Sequence, residues 1–145
     1  MTSAFTVRPA TARDAPAVAA LLGELGYPTS PALAGERLAA LASDDDAVLL
    51  AFDERGDALG LISLHRMRVL HAGGVVGYIT ALVTTSSARG RGVGRALLAS
   101  AERWARDAGC RRLTVTSAER RSDAHAFYEA CGMPYTGRRF AKALD

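Results

Sequence analysis

"TTSSARGRGVGRALLASAERWA", residues Thr84 to Ala105, joins the end of an apolar run to a long helical pattern. Between Arg89 and Arg95 the chain places three glycines and three arginines. From Val93 onward Leu97, Ala101, Trp104 and Ala108 recur at helical spacing, and Gly109 closes the pattern. The order strand, glycine loop, helix start aims several backbone N–H groups outward at the positive end of a helix dipole. Glycine in such a loop tolerates positive φ and lets a ligand approach the backbone. A phosphate or pyrophosphate suits the site.

Working outward, "AFTVRP" alternates and reads as a first strand. Thr11 or Asp14 caps a helix through "APAVAALLGELG", which Gly26 closes. Ser30 and Pro31 open a second helix with Leu33, Arg37, Leu38 and Leu41 on one side, ended by Asp44–Asp46. "AVLLAF", "ALGLISLHRMRV" and "VVGYITALVT" are strands separated by the turns "DERGD" and "HAGG". Beyond the long helix, "RRLTVTSA" is a strand, "SDAHAFYEACG" a short helix capped by Ser122 or Asp123, and "YTGRRFAKAL" a closing strand. The pattern predicts one mixed α/β domain over residues 1–145, without repeats or linkers.

Composition narrows the function. Apolar residues make up 49% and charged residues 23% of the chain, as in ordinary soluble domains. The first twenty residues lack a basic start followed by an apolar run, and no run approaches the ~20 residues of a membrane span. Cys110 and Cys131 show no metal spacing, so the expectation is two reduced core thiols, no metal, no membrane and a cytoplasmic location. Six arginines face nine acids before residue 73, whereas eleven arginines and a lysine face six acids from there on. The cations thus gather around and after the glycine loop, where an anionic ligand is expected. A nucleic-acid partner is not expected, because interleaved aromatics and a recognition-helix motif are missing.

Three phosphate motifs compete for the loop. A P-loop needs Lys and Ser or Thr after its last glycine, and Arg95 and Ala96 follow Gly94. A dinucleotide fingerprint needs a third glycine where Arg95 stands. The pattern [RQ]-x-x-G-x-[GA] after a strand is met by Arg89, Gly92 and Gly94. With "DAHAFYEACGM" downstream, the chain resembles the GNAT superfamily of N-acetyltransferases along nearly its whole length. The resemblance implies a mixed, mostly antiparallel sheet with a splayed central strand pair and about four flanking helices. It implies acetyl-CoA as co-substrate, with the pyrophosphate on the loop amides from Arg89 through Gly90, Arg91, Gly92 and Val93 to Gly94. Arg91 and Arg95 add charge. It places Leu82, Val83 and Thr84 along the pantetheine arm, and a homodimer through closing strands is compatible with it.

Acetyl transfer to an amine needs a neutral nucleophile, a polarised carbonyl, alignment and a proton for the departing thiolate. The chain has no Asn or Gln, which leaves backbone N–H groups around Val83 to polarise the carbonyl. Tyr128 matches the tyrosine that many members use as general acid; a packing role on the sheet is its other reading. Thr80 stands where many members carry a glutamate base, and a hydroxyl is no base. His65 is a candidate base because imidazoles work near neutrality, and a water chain is the alternative. No carboxylate partner for His65 is visible in the sequence, and Asp44–Asp46 read as a solvated helix end. Tyr27, Glu36 and that acidic run are candidate attractors for an amine acceptor, a small molecule or a peptide. The expectation is an acetyl-CoA-dependent N-acetyltransferase attacking directly in a ternary complex, with an acyl-CoA-binding sensor as the alternative.

Overall fold

The computed structural model describes residues 5–71, 73–116 and 122–144. Five strands form one sheet in chain order: β1 (Thr6–Pro9), β2 (Asp46–Phe52), β3 (Ala58–Val69), β4 (Gly74–Thr84) and β5 (Cys110–Val115). The first four pair antiparallel, and β4 pairs parallel with β5. The helices are α1 (Ala15–Leu25), α2 (Pro31–Ala40), α3 (Val93–Asp107) and α4 (Ser122–Ala130). The expected mixed, mostly antiparallel α/β domain is what the chain forms.

Strand alternation sends two apolar sets to opposite faces. Leu50, Phe52, Leu61 and Val83 meet Val18, Leu21 and Ala34 of α1 and α2. Leu49, Ile62, Leu64 and Ile79 meet Val93, Leu97, Leu98 and Ala101 of α3, with Phe127 of α4 packed against them. The register of α2 differs from the expected one: Ala34 is buried and Leu38 half-buried, while Arg37 and Leu41 are exposed. The i, i+4 pair of Ala34 and Leu38 lets α2 lie close to α1, and a buried arginine would lack a partner there.

Thr11 stands ahead of a 3-10 turn and Asp14 ahead of α1, though the Asp14 side chain makes no cap bond to α1. The Thr11 N–H donates to Asp14 Oδ2 at 2.7 Å and the Asp14 N–H to the Thr11 carbonyl at 2.9 Å, so a single 3-10 turn precedes α1. In α2 the Leu33 N–H donates to Ser30 Oγ at 3.1 Å with Pro31 at the first helical position. The cap of α4 and the end of the expected fifth strand, Ser117 and Ala118, lie outside the described residues.

Two details of the sheet shape the site. The β3–β4 register passes from Ser63↔Ala81 to Leu64↔Ile79, which leaves Thr80 as the extra residue of a bulge on β4. The β4–β5 pairing runs from Val75↔Cys110 to Ile79↔Val115, while β4 continues to Thr84. Among the described residues the β4–β5 register therefore ends at Ile79, before the stretch Leu82–Thr84. At this end Gly60 lets α3 close on the sheet, since a Cβ there would stand 2.9 Å from the Val83 carbonyl oxygen and 3.0 Å from Leu97 and Val93.

The closing strand expected over 135–144 is not formed. Residues 133–144 carry no regular structure, and Tyr135, Phe140 and Leu144 are 69%, 89% and 94% exposed. Isolated strands are not stable in water, and this segment, opened by Pro134 and charged at Arg138 and Arg139, buries no face among the described residues. Among the described residues no helix is long and apolar enough to cross a membrane.

Candidate active site

The C-terminal end of β4, paired on one side with β3, forms one wall of a cavity of about 420 Å³, through Leu82, Val83 and Thr84. The glycine loop adds Arg89 and Gly94, and α4 closes it with Asp123, Phe127 and Tyr128. Glu24 and Leu25 complete it from the last turn of α1. Leu82, Val83, Thr84, Arg89, Gly94 and Tyr128 were separately expected in a site, and the tertiary fold brings these six together.

The loop's backbone explains its glycines. Gly90 and Gly92 have φ of 80° and 85°, and the space at their Cβ positions is open. Among the described residues, the amides from Arg89 to Arg95 have a recorded backbone acceptor only at Arg91, whose N–H donates to the Ala88 carbonyl at 3.3 Å. Of the others, the N–H groups of Val93, Gly94 and Arg95 are the orphan donors of a helix start. Val93 is buried in the core, so only its backbone is available to a ligand. The Arg91 guanidinium lies 5.5 Å from the Phe5 ring centroid, and Arg95 is exposed on the first turn of α3.

On α4, Phe127 and Tyr128 pack edge to face at 5.6 Å between centroids. Phe127 turns to the α3-side core while Tyr128, half-buried, also lines the cavity. Gly94 accommodates Phe127, because a Cβ there would approach the ring to 3.2 Å.

Sequence reasoning missed Glu24. Its Oε2 accepts the Thr85 hydroxyl at 2.6 Å and its Oε1 accepts the Ser86 N–H at 3.0 Å. These bonds, the hydroxyl's first, and the nearby Arg89 charge hold the carboxyl below the usual carboxylate range. Glu24 is thus a fixed anion at the cavity wall and a poor proton acceptor. No local pattern announces it, since its partners lie 61 and 62 positions away.

His65 is not among the cavity's walls. It pairs with Tyr78, four residues and ~13 Å of strand before Leu82. The reading that it lacks a carboxylate is overturned: His65 Nδ1 lies 2.7 Å from Asp46 Oδ1. Asp46 is accordingly half-buried on β2, unlike the exposed Asp44 and Asp45. Thr80 donates its hydroxyl to Ser63 Oγ at 2.9 Å. Tyr27 and Glu36 are exposed and do not line the cavity.

The model of the acetyltransferase (GNAT) family matches residues 16–133. An aminoglycoside N(6')-acetyltransferase type 1 of Stenotrophomonas maltophilia is 38% identical over 141 residues, covering 94% of this chain and 90% of the relative. An aminoalkylphosphonate N-acetyltransferase of Salmonella typhimurium strain LT2 is 40% identical over 89 residues, 61% of this chain and 58% of its own length. The solved structure of AAC(6')-Iy with a CoA-S-monomethyl-acetylneamine bisubstrate analogue shares the fold at TM-score 0.85 and 19% identity, over 97% of this chain and 98% of that one. Family match and full-length relative meet on the same strand, loop and helix, and the chain belongs to the GNAT family of acyltransferases.

Proposed function

We propose that this protein transfers the acetyl group of acetyl-CoA to a primary amine of a small molecule or peptide, by direct attack in a ternary complex. The observation that carries the reading is the cavity itself. The end of β4, Arg89 and Gly94 of the glycine loop, and Tyr128 line it together. The residues fit a CoA thioester, because positive φ at Gly90 and Gly92 leaves open space beside unpaired helix-start amides.

When bound, acetyl-CoA supplies an activated acyl group on a thiol leaving group. The loop from Arg89 to Gly94 holds the pyrophosphate through backbone N–H groups, with the Arg89, Arg91 and Arg95 guanidinium groups adding charge. Leu82, Val83 and Thr84 line the wall along which the extended arm would lie, and a backbone N–H of this stretch would polarise the carbonyl. The Tyr128 hydroxyl holds the proton that the departing sulfur takes up. Glu24 contributes a fixed negative charge for a cationic amine.

The homologous aminoglycoside and aminoalkylphosphonate enzymes support a small polar amine as acceptor. Two free, half-buried thiols at Cys110 and Cys131 suit a cytoplasmic location. Thiol release from acetyl-CoA, followed over aminoglycosides, aminoalkylphosphonates, polyamines, amino acids and peptide N-termini, tests the reading. Turnover with one amine class supports it. Tight acetyl-CoA binding without thiol release to any amine favours an acyl-CoA sensor instead.

A further inference from the structure

Asp46 and His65 occupy directly opposed positions on the β2–β3 ladder. Asp46 is pinned from its other side as well, because the Ser43 hydroxyl donates to Oδ2 at 2.9 Å. Its side chain is 14% exposed, while that of His65 is 42% exposed. A carboxylate only accepts, so the proton of their contact sits on Nδ1 and the neutral ring keeps its lone pair on Nε2.

Two residues back on the same face of β3, Ser63 accepts the Thr80 hydroxyl. Thr80 is the bulged residue of β4, and Leu82 of the cavity follows ~7 Å of strand later. Asp46, His65, Ser63 and Thr80 thus form a row over three neighbouring strands, which ends two residues before Leu82 of the cavity wall. The adjoining positions on this face are apolar, namely Val48, Leu61, Ala81 and Val83. Packing alone does not call for polar side chains in this line.

We propose that this row takes the proton from the acceptor ammonium to His65 Nε2, with Asp46 as the positioning residue that sets the imidazole tautomer. The proposal rests on the acetyl-transfer reading above. The acceptor N–H bond breaks and its electron pair stays on nitrogen, which attacks the thioester carbonyl. The proton passes along the Thr80 and Ser63 hydroxyls, each able to accept one proton while donating another, with water spanning the gaps. It arrives on Nε2 as an imidazolium bonded to Asp46, and solvent reaching the half-exposed ring removes it. The departing sulfur takes its proton from Tyr128, and the second N–H proton, lost from the cationic nitrogen of the tetrahedral adduct, restores the phenol, so the proton passed to His65 is the one released per turnover. Among the described residues, the charged or titratable groups opposite His65 on the neighbouring strands are Asp46 from β2 and Tyr78 from β4; beside it on β3, Arg66 is engaged by Asp45 at 2.9 Å.

The test uses the panel amine that turns over fastest. Its kcat/KM is followed against pH in wild type, His65→Gln and Asp46→Asn, beside an NMR titration of the His65 ring. The wild-type rate is expected to rise along the imidazole titration, and His65→Gln to lose that rise. Asp46→Asn is expected to lower kcat/KM about 10²-fold, to keep the acetyl-CoA affinity, and to lose the Nδ1–H tautomer in the ring's nitrogen shifts. A folded His65→Gln protein with a superposable profile overturns the proposal. If the variants do not fold, a wild-type rise that fails to coincide with the imidazole titration overturns it equally. Absence of thiol release with every amine is a separate result that removes the acetyl-transfer reading and this relay with it.

Discussion

The Glu24 carboxylate, at the end of α1, accepts the Thr85 hydroxyl at 2.6 Å, 61 positions along the chain. Through this bond and the Ser86 N–H, the helix that borders the cavity is tied to the turn that leads into the glycine loop. Glu24→Ala should destabilise the protein by about 1 kcal/mol and raise the KM for acetyl-CoA several-fold, since a charged hydrogen-bond acceptor is lost. Because the carboxyl is held below its usual range, its contribution is present above the unfolded value and fades as pH falls through the folded one. Thermal melts of wild type and variant at neutral and acid pH check both statements: the difference between them should shrink in acid.

A second carboxylate sets acid stability. Arg8 donates to both oxygens of Asp14, at 2.9 and 3.1 Å, and with the Thr11 N–H holds its carboxyl at about 2 against an ordinary 3.8. Above the ordinary value this arrangement contributes about 2 kcal/mol, which is lost as pH falls toward 2. Asp14→Asn should therefore lose about that much in a urea titration at pH 7, and much less near pH 2. Equal losses at both pH values would show that the charge of Asp14 is not what stabilises β1 against α1.

Gly92 precedes α3 with φ of 85°, and the position of its Cβ is open. Gly92→Glu should abolish acetyl-CoA binding, because a side chain and a negative charge would fill the space beside the loop amides. Part of any fall in stability follows from the left-handed backbone, which disfavours every side chain there. Gly92→Ala separates the two effects: it carries the strain without the charge, and calorimetry should show weakened but measurable binding. Wild-type affinity in the glutamate variant would move the pyrophosphate elsewhere.

Tyr128 lines the cavity beside Phe127. Tyr128→Phe should lower kcat by about 10²–10⁴-fold while acetyl-CoA affinity stays within a few-fold, since the hydroxyl matters when the sulfur departs. Pre-steady-state measurement with chemistry limiting decides the point. A variant within about twofold of wild type would make Tyr128 a packing residue of α4.

Much of this molecule was legible in consecutive residues. The spacing of Arg89, Gly92 and Gly94 after an apolar run encodes a local backbone shape, and local shape depends on near neighbours. For the same reason the cap at Ser30 was readable, and so were the periodic faces of α1 and α3. The closing strand was misread because apolar residues with turn signals describe a strand only if a partner edge and a face to bury exist.

What tertiary structure alone decided are the pairings that cross the chain. Asp46 looked like one of three solvated acids until strand register set it opposite His65, 19 positions away. Register follows from which apolar residues are buried, so a polar pair riding on the same strands carries no signal of its own. Glu24 met Thr85 and Ser86 because α1 docked on one face of β4, and Thr80 met Ser63 because a bulge turned it there. The glycine loop is thus written in neighbouring residues, whereas the polar pairings of Glu24, Asp46 and Thr80 arise from packing between residues far apart, a sum over the whole core that no short stretch contains.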